Sequence, residues 1–207
     1  MQFHNCLIFK IFLAFSSIAA LVLGCASRAP LPEGSERVFH LEGRMAVRSA
    51  ERGAESLPGS RDGASSTGLS ASFVWDQFEN GYQIELWGPL GQGRTRLIGD
   101  GAALTIITSR GETLAREDAE SLMVRALGWS VPIDVLPEWI QGRTASATPV
   151  LEEVRDGEAR LASFRQLGWS IELSRYRDVS GTALPGRLVA RRGGHKITII
   201  CREWLLH

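Results

Sequence analysis

Several things this chain lacks limit what it can be. Its three cysteines, Cys6, Cys25 and Cys201, are far apart in 207 residues, so neither a disulfide framework nor a cysteine metal cluster can be built from them. Acidic and basic side chains balance at 23 each, so no strong field points to nucleic acid or to an acidic lipid surface. Only Lys10 and Lys196 are lysines among the basic residues, an arginine excess that reads as genomic composition. His40, His195 and His207, which follow the apolar leader, do not lie at metal-ligand spacing. There is no Gly-x-Ser-x-Gly elbow, no His-Glu-x-x-His and no Cys-x-x-Cys. Gly88-Pro89-Leu90-Gly91-Gln92-Gly93 has the glycines of a phosphate loop but not its Lys-Ser/Thr pair or following helix. The acidic group Glu117, Asp118 and Glu120 reads as a solvated first helical turn. No catalytic residue, metal site or cofactor is expected.

A long hydrophobic run is missing too. Residues 11–23 are uncharged and apolar or small, but a bilayer span needs about 20 residues. The run ends in Leu21-Val22-Leu23-Gly24-Cys25. That pattern resembles a bacterial lipoprotein signal, in which the cysteine thiol is acylated and becomes the mature N-terminus. The bland alternative is an ordinary cleaved signal with Cys25 incidental. With lipidation, residues 1–24 are a signal peptide and residues 25–38 a lipidated N-terminus and tether containing two prolines. Ala26, in place of an aspartate, then favours the outer membrane. Loss of Lys10 with the signal reduces the 23 basic residues to 22 against 23 acidic ones.

Residues 39–207 are expected to form one domain, interrupted by a polar, Gly/Ser-rich insertion at 49–68. Leu69, Ala71, Phe73 and Trp75 alternate with polar or smaller residues, as do Tyr82, Ile84 and Leu86, and Trp169, Ile171 and Leu173. Period two with one apolar face marks antiparallel strands covered on one side. Turn signals divide the chain into about ten strands: 39–48, 69–77, 82–87, 92–99, 102–108, 112–115, 150–155, 159–166, 169–177 and 187–204 with an internal turn. Cys201 alternates with Ile197 and Ile199 and reads as a small buried strand residue.

Only the middle of the chain is helical. Ala119, Leu122, Met123, Ala126 and Leu127 form one apolar stripe, closed by Gly128. A second short helix is expected from Asp134, as N-cap, to Gln141, with Ile133, Leu136 and Ile140 on one face and Trp139 beside it. Two short helices cannot cover ten flat strands, so the sheet must curl into an open or closed barrel. Such a sheet permits a lipid-sized cavity, although tight packing is the commoner outcome. Between two strands, Leu90 sits at the tip of a turn made by Pro89, Gly91 and Gly93. Either it folds back onto the sheet edge or it projects toward a membrane or a partner.

In chain order, Gly43-Arg44, Phe73-x-Trp75, Tyr82-x-Ile84-x-Leu86, Gly88-Pro89-Leu90-Gly91, Glu117-Asp118-Ala119-Glu120, Leu136-x-x-Trp139-Ile140-x-Gly142, Gln166-x-Gly168-Trp169, Leu184-Pro185 and Trp204 resemble the LolB family. The resemblance implies a mainly β fold with helices (α+β). This is an open antiparallel half-barrel of about ten or eleven strands, covered by two or three short helices with an apolar cavity between. It implies a monomeric outer-membrane lipoprotein, lipid-anchored on the periplasmic face through acylated Cys25. Such a receptor accepts cargo lipoproteins from a LolA-type periplasmic carrier and inserts their acyl chains into the membrane. The alternative is an envelope lipid-binding or scaffolding lipoprotein that transfers no cargo. The Pro89-Leu90-Gly91 loop is then the membrane-insertion element. Phe73, Trp75, Ile84, Leu86, Leu122, Trp139 and Ile140 are candidates for cavity wall or core. Family members usually carry a helix ahead of the first strand; here it is short or absent.

Overall fold

The computed structural model describes residues 35–50, 66–99, 103–116 and 119–207. The signal peptide, Cys25, most of the tether, most of the 49–68 insertion, and Glu117 and Asp118 lie outside the described residues, as does any helix before residue 35. Strands β1 (Arg37–Ala50), β2 (Ser66–Phe78), β3 (Gly81–Trp87), β4 (Thr95–Gly99), β5 (Leu104–Ile107) and β6 (Thr113–Arg116) come first. Helices α1 (Ala119–Leu127) and α2 (Leu136–Ile140) follow. Strands β7 (Leu151–Arg155), β8 (Leu161–Gln166), β9 (Trp169–Ser174), β10 (Arg177–Val179), β11 (Thr182–Leu184), β12 (Arg187–Arg192) and β13 (His195–Leu206) complete the order.

Among the described residues, eleven strands form one antiparallel sheet in the order β6-β5-β4-β3-β2-β1-β13-β12-β9-β8-β7, open at β6 and β7. The first half of the chain winds outward from β1, and the second half returns to pair β13 with β1. The sheet is strongly curled. Leu97 of β4 and Leu188 of β12 line one small cavity, yet they sit five strands apart in the order, about 24 Å on a flat sheet. The apolar alternation read from the sequence supplies the inner face: Phe73, Trp75, Ile84, Leu86, Ile171 and Leu173 are all buried.

The helices differ slightly from expectation. Gly128 and Gly142 end α1 and α2 with φ of 78° and 80°, as the helix-stop pattern requires. The second helix does not start on an Asp134 cap. Its N-cap is Val135, without a side-chain hydrogen bond, after a turn in which the Pro132 carbonyl accepts from the Val135 and Leu136 amides. Ile133, Leu136, Trp139 and Ile140 are buried as anticipated. The strand expected to run from 92 begins only at Thr95, because Gly93 adopts a φ of 64°. That expected over 169–177 stops at Ser174, where Arg175 turns to a φ of 59°. The chain then makes a separate hairpin, β10–β11, around Ser180 and Gly181 at φ 53° and 82°. Positive φ at both turn residues is the type I′ geometry.

One buried polar node fixes the end of the helical segment. The Gln166 carbonyl oxygen accepts from Trp139 Nε1 at 2.7 Å and from the Ala145 amide at 3.0 Å. Its side-chain nitrogen donates to the Ala145 and Thr148 carbonyls at 2.7 and 2.9 Å. Gln166 is 2% exposed, so each partner would be stranded without it. Gln166→Leu is expected to cost about 2–4 kcal/mol, read as a lower urea midpoint; an unchanged midpoint refutes the node's role.

Cys201 is buried in β13. Burial pushes its thiol from the ordinary 9.0 up to about 12, partly offset by Arg177. The fold thus favours the neutral thiol while the unfolded chain ionises first. Its contribution to stability is complete below about pH 9 and is lost as pH rises toward 12. The expected loss is at most about 1.4 kcal/mol per pH unit from this group. Urea unfolding from pH 7 to 11 tests this, with Cys201→Val as the flatter control; parallel profiles refute it.

Candidate functional site

The inner face and the helices enclose an apolar hollow. Met45, Phe73, Trp75, Ile84, Leu86 and Leu97 line it from the first half of the sheet. Leu188, Ala190, Ile197 and Ile199 line it from the second half. The cover consists of Met123 of α1, Trp129, Val131 and Ile133 of the connecting segment, and Leu136 of α2. Of the seven wall or core candidates, Phe73, Trp75, Ile84 and Leu86 line the hollow. Leu122, Trp139 and Ile140 are buried without lining it, and the Trp139 ring packs edge-on against Phe164 at 6.1 Å.

Sequence reasoning missed several wall residues. Met45, Leu188 and Ala190 belong to recognised strands, and their alternation could have revealed them; that of Ile197 and Ile199 marked a buried strand face but not a cavity wall. Trp129 sits in a loop just after α1, where no periodicity marks it.

The volume of this hollow is only about 40 Å³, against roughly 300 Å³ or more for ordinary ligand pockets. It can hold a water-sized body and not a fatty chain. A lipid-sized interior, which a curled sheet permits, is therefore absent in this closed arrangement. Two of the walls are methionines, Met45 and Met123, the side chains that repack most readily.

Gly43 allows the aromatic wall to form. A Cβ at this position would come within 2.6 and 2.7 Å of Phe73 ring atoms and closer still to the Ile200 carbonyl oxygen. The glycine also sits at a register shift between β1 and β13, where a bulge bends the strand. Beyond it, Phe39 stacks edge-on against both Trp75 and Trp204, at 5.5 and 5.2 Å. Gly43→Ala is expected to cost at least about 2 kcal/mol. An unchanged unfolding midpoint would show that Phe73 has room to give.

After β3, Pro89–Gly91 forms a single tight turn. The Gly91 amide donates to the Gly88 carbonyl at 3.2 Å, and the Gly88 amide donates to Gln92 at 2.8 Å. Proline fixes its own φ, so the positive φ of Leu90, 62°, makes this a type II-like turn. That geometry prefers Gly or Asn at the position Leu90 occupies. Leu90 is 95% exposed. It therefore projects outward, and the reading in which it folds back onto the sheet edge is excluded. The base of the loop is held by Arg94, which pairs with Glu85 at 3.0 Å and lies over the Trp87 ring at 5.4 Å.

The chain is similar to known proteins along most of its length. Residues 37–204 match the family model described as outer membrane lipoprotein LolB. The chain is 33% identical over 192 residues to an outer-membrane lipoprotein LolB of Cellvibrio japonicus, covering 91% of this chain and 93% of that protein. It is 34% identical over 190 residues to the LolB of Chromohalobacter salexigens, covering 91% and 87%. Among solved structures it overlaps a LolA superfamily protein from Nitrosomonas europaea, at 11% identity and a TM-score of 0.48, over 81% of this chain and 86% of that one.

Proposed function

The chain belongs to the LolB family of outer-membrane lipoproteins, and we propose that it accepts lipoproteins from a LolA-type periplasmic carrier and inserts them into the outer membrane. The observation that carries this reading is the exposed Leu90 on a hydrogen-bonded turn that follows β3, the strand whose Ile84 and Leu86 line an all-apolar hollow. Residues 1–24 are removed as the signal peptide, acylated Cys25 anchors the product, residues 25–38 act as its tether, and residues 39–207 work as one monomeric domain. Each buried CH₂ of the anchor adds roughly 0.8 kcal/mol of membrane affinity, so the receptor stays beside its target.

Transfer needs neither nucleotide nor metal in this scheme. Acyl chains move from the carrier to the hollow and on to the bilayer, each step gaining apolar burial at roughly 25 cal/mol per Å². Entry requires the cover to shift, since about 40 Å³ is too small for a chain. Two polar ties beside α1 are exposed. Arg192 reaches Glu120 at 3.4 Å, and the Ser130 hydroxyl donates to Glu120 at 3.2 Å, both at exposed positions. Contacts of that kind contribute little. The apolar contacts under the cover are ones an incoming acyl chain replaces in kind.

A LolA-type carrier loaded with labelled lipoprotein should pass its label to this protein and then to liposomes. Binding of lipid without label transfer would favour the scaffolding alternative. Leu90→Glu is expected to fold and take up cargo while releasing it into the membrane at least tenfold more slowly. Wild-type release by a correctly localised variant would remove Leu90 from the insertion step.

A further inference from the structure

A second, larger hollow of about 280 Å³ opens at the foot of the Pro89–Gly91 turn. Leu69 and Ala71 of β2, Leu86 and Trp87 of β3, and Leu127 and Trp129 at the end of α1 supply its apolar lining. Gly88 and Gln92, the residues that close the turn below Leu90, also border it. Leu86 and Trp129 line the first cavity as well, so the two spaces are neighbours that share side chains. Leu69 continues the inward-facing alternation of β2, whose other members Ala71, Phe73 and Trp75 are buried, yet it is 47% exposed. The apolar stripe thus runs past the edge of the core into this groove.

We propose that the groove is a binding site for a fatty acyl chain: the seat a cargo chain occupies after passing Trp129 on its way to the membrane. The proposal rests on the receptor reading above. Its occupant follows from continuity, since the groove joins an apolar cavity at one end to an exposed leucine at the other. A third hollow, of about 270 Å³, also touches Trp129. Glu120, Ser130, Arg192 and His195 border that one, and a hydrocarbon chain placed there would strip water from charged groups. Val124 and Trp169 line it too, but the hollow under the Leu90 turn is bordered by no charged side chain among the described residues.

Two variants and two readouts test the site. Leu69→Glu places a charge on an exposed wall, and Thr95→Trp adds bulk to the groove from β4. Leu69 is exposed enough that its replacement leaves the fold intact, should Thr95→Trp fail to fold. In the first readout, palmitate carrying a terminal diazirine is photolysed with the purified protein. Adducts are expected on Leu69, Ala71 or Trp87, reduced at least fivefold in Leu69→Glu; adducts on cavity residues alone overturn the proposal. In the second, labelled lipoprotein is followed from carrier to protein and from protein to liposomes of phosphatidylethanolamine and phosphatidylglycerol. The variants are expected to slow release at least fivefold and uptake by less. Equal release by the folded variants and wild type overturns the groove as an exit. If the wild type takes no label from the carrier but gives the groove adducts, the receptor reading falls and the fatty-chain site stands.

Discussion

The pairing of the first strand with the last holds the two halves of this chain in one sheet. From Phe39 opposite Leu206 to Ser49 opposite His195, β1 and β13 run antiparallel across the middle of the eleven strands. These contacts join residues more than 140 positions apart, so the loop-closure entropy is large and must be offset by burial on the covered face. That offset requires curvature, because two short helices are the whole helical cover among the described residues. The bulge at Glu42/Gly43, and the absence of a side chain at Gly43, let β1 bend there while Phe73 lies flat against it. The cavity is a product of that bend.

The cover over the bend is anchored unequally. Its α2 end is tied to β8 through Gln166, a buried side chain that makes four hydrogen bonds to the segment from Trp139 to Thr148. Beside α1, the polar ties made by Glu120 are long and exposed. Breaking the first set strands buried polar groups, whereas breaking the second returns its groups to water. Trp129 is where the apolar cavity meets the outer groove.

Sequence periodicity carried the fold a long way, and its failures have physical causes. The inner faces of β2, β3 and β9 were legible because three or four alternating apolar residues in a row are hard to mistake. β10 and β11 were not, since three residues each is too short for an alternation to register, although Ser180-Gly181 held the turn signal. The second helix was legible, but its N-cap was not: the chain enters it through a turn at Pro132 instead of a capping side chain at Asp134. Turn residues marked the loop, and the family resemblance supplied its expected role. That Leu90 points outward depended on one backbone angle, which no pattern encodes. The cavity's small volume depended on how side chains from both halves of the chain meet, and Trp129 acquires its position only when the cover closes.

Leu90 is the sharpest case of a residue whose explanation lies outside the fold. A left-handed backbone costs an L-residue with a branched side chain roughly 1–2 kcal/mol relative to the ordinary region. Its neighbour Gly91 and nearby Gly93 occupy positive φ at no such cost. At 95% exposure, Leu90 recovers none of that cost through packing. Glycine would satisfy the turn better, and a polar residue would satisfy the solvent better. Leu167 shares a positive φ, 52°, but is 43% exposed; a strained backbone that holds a leucine at 95% exposure fits a place where something apolar receives the side chain. On the insertion step proposed above, the receiving medium is the membrane into which cargo is delivered.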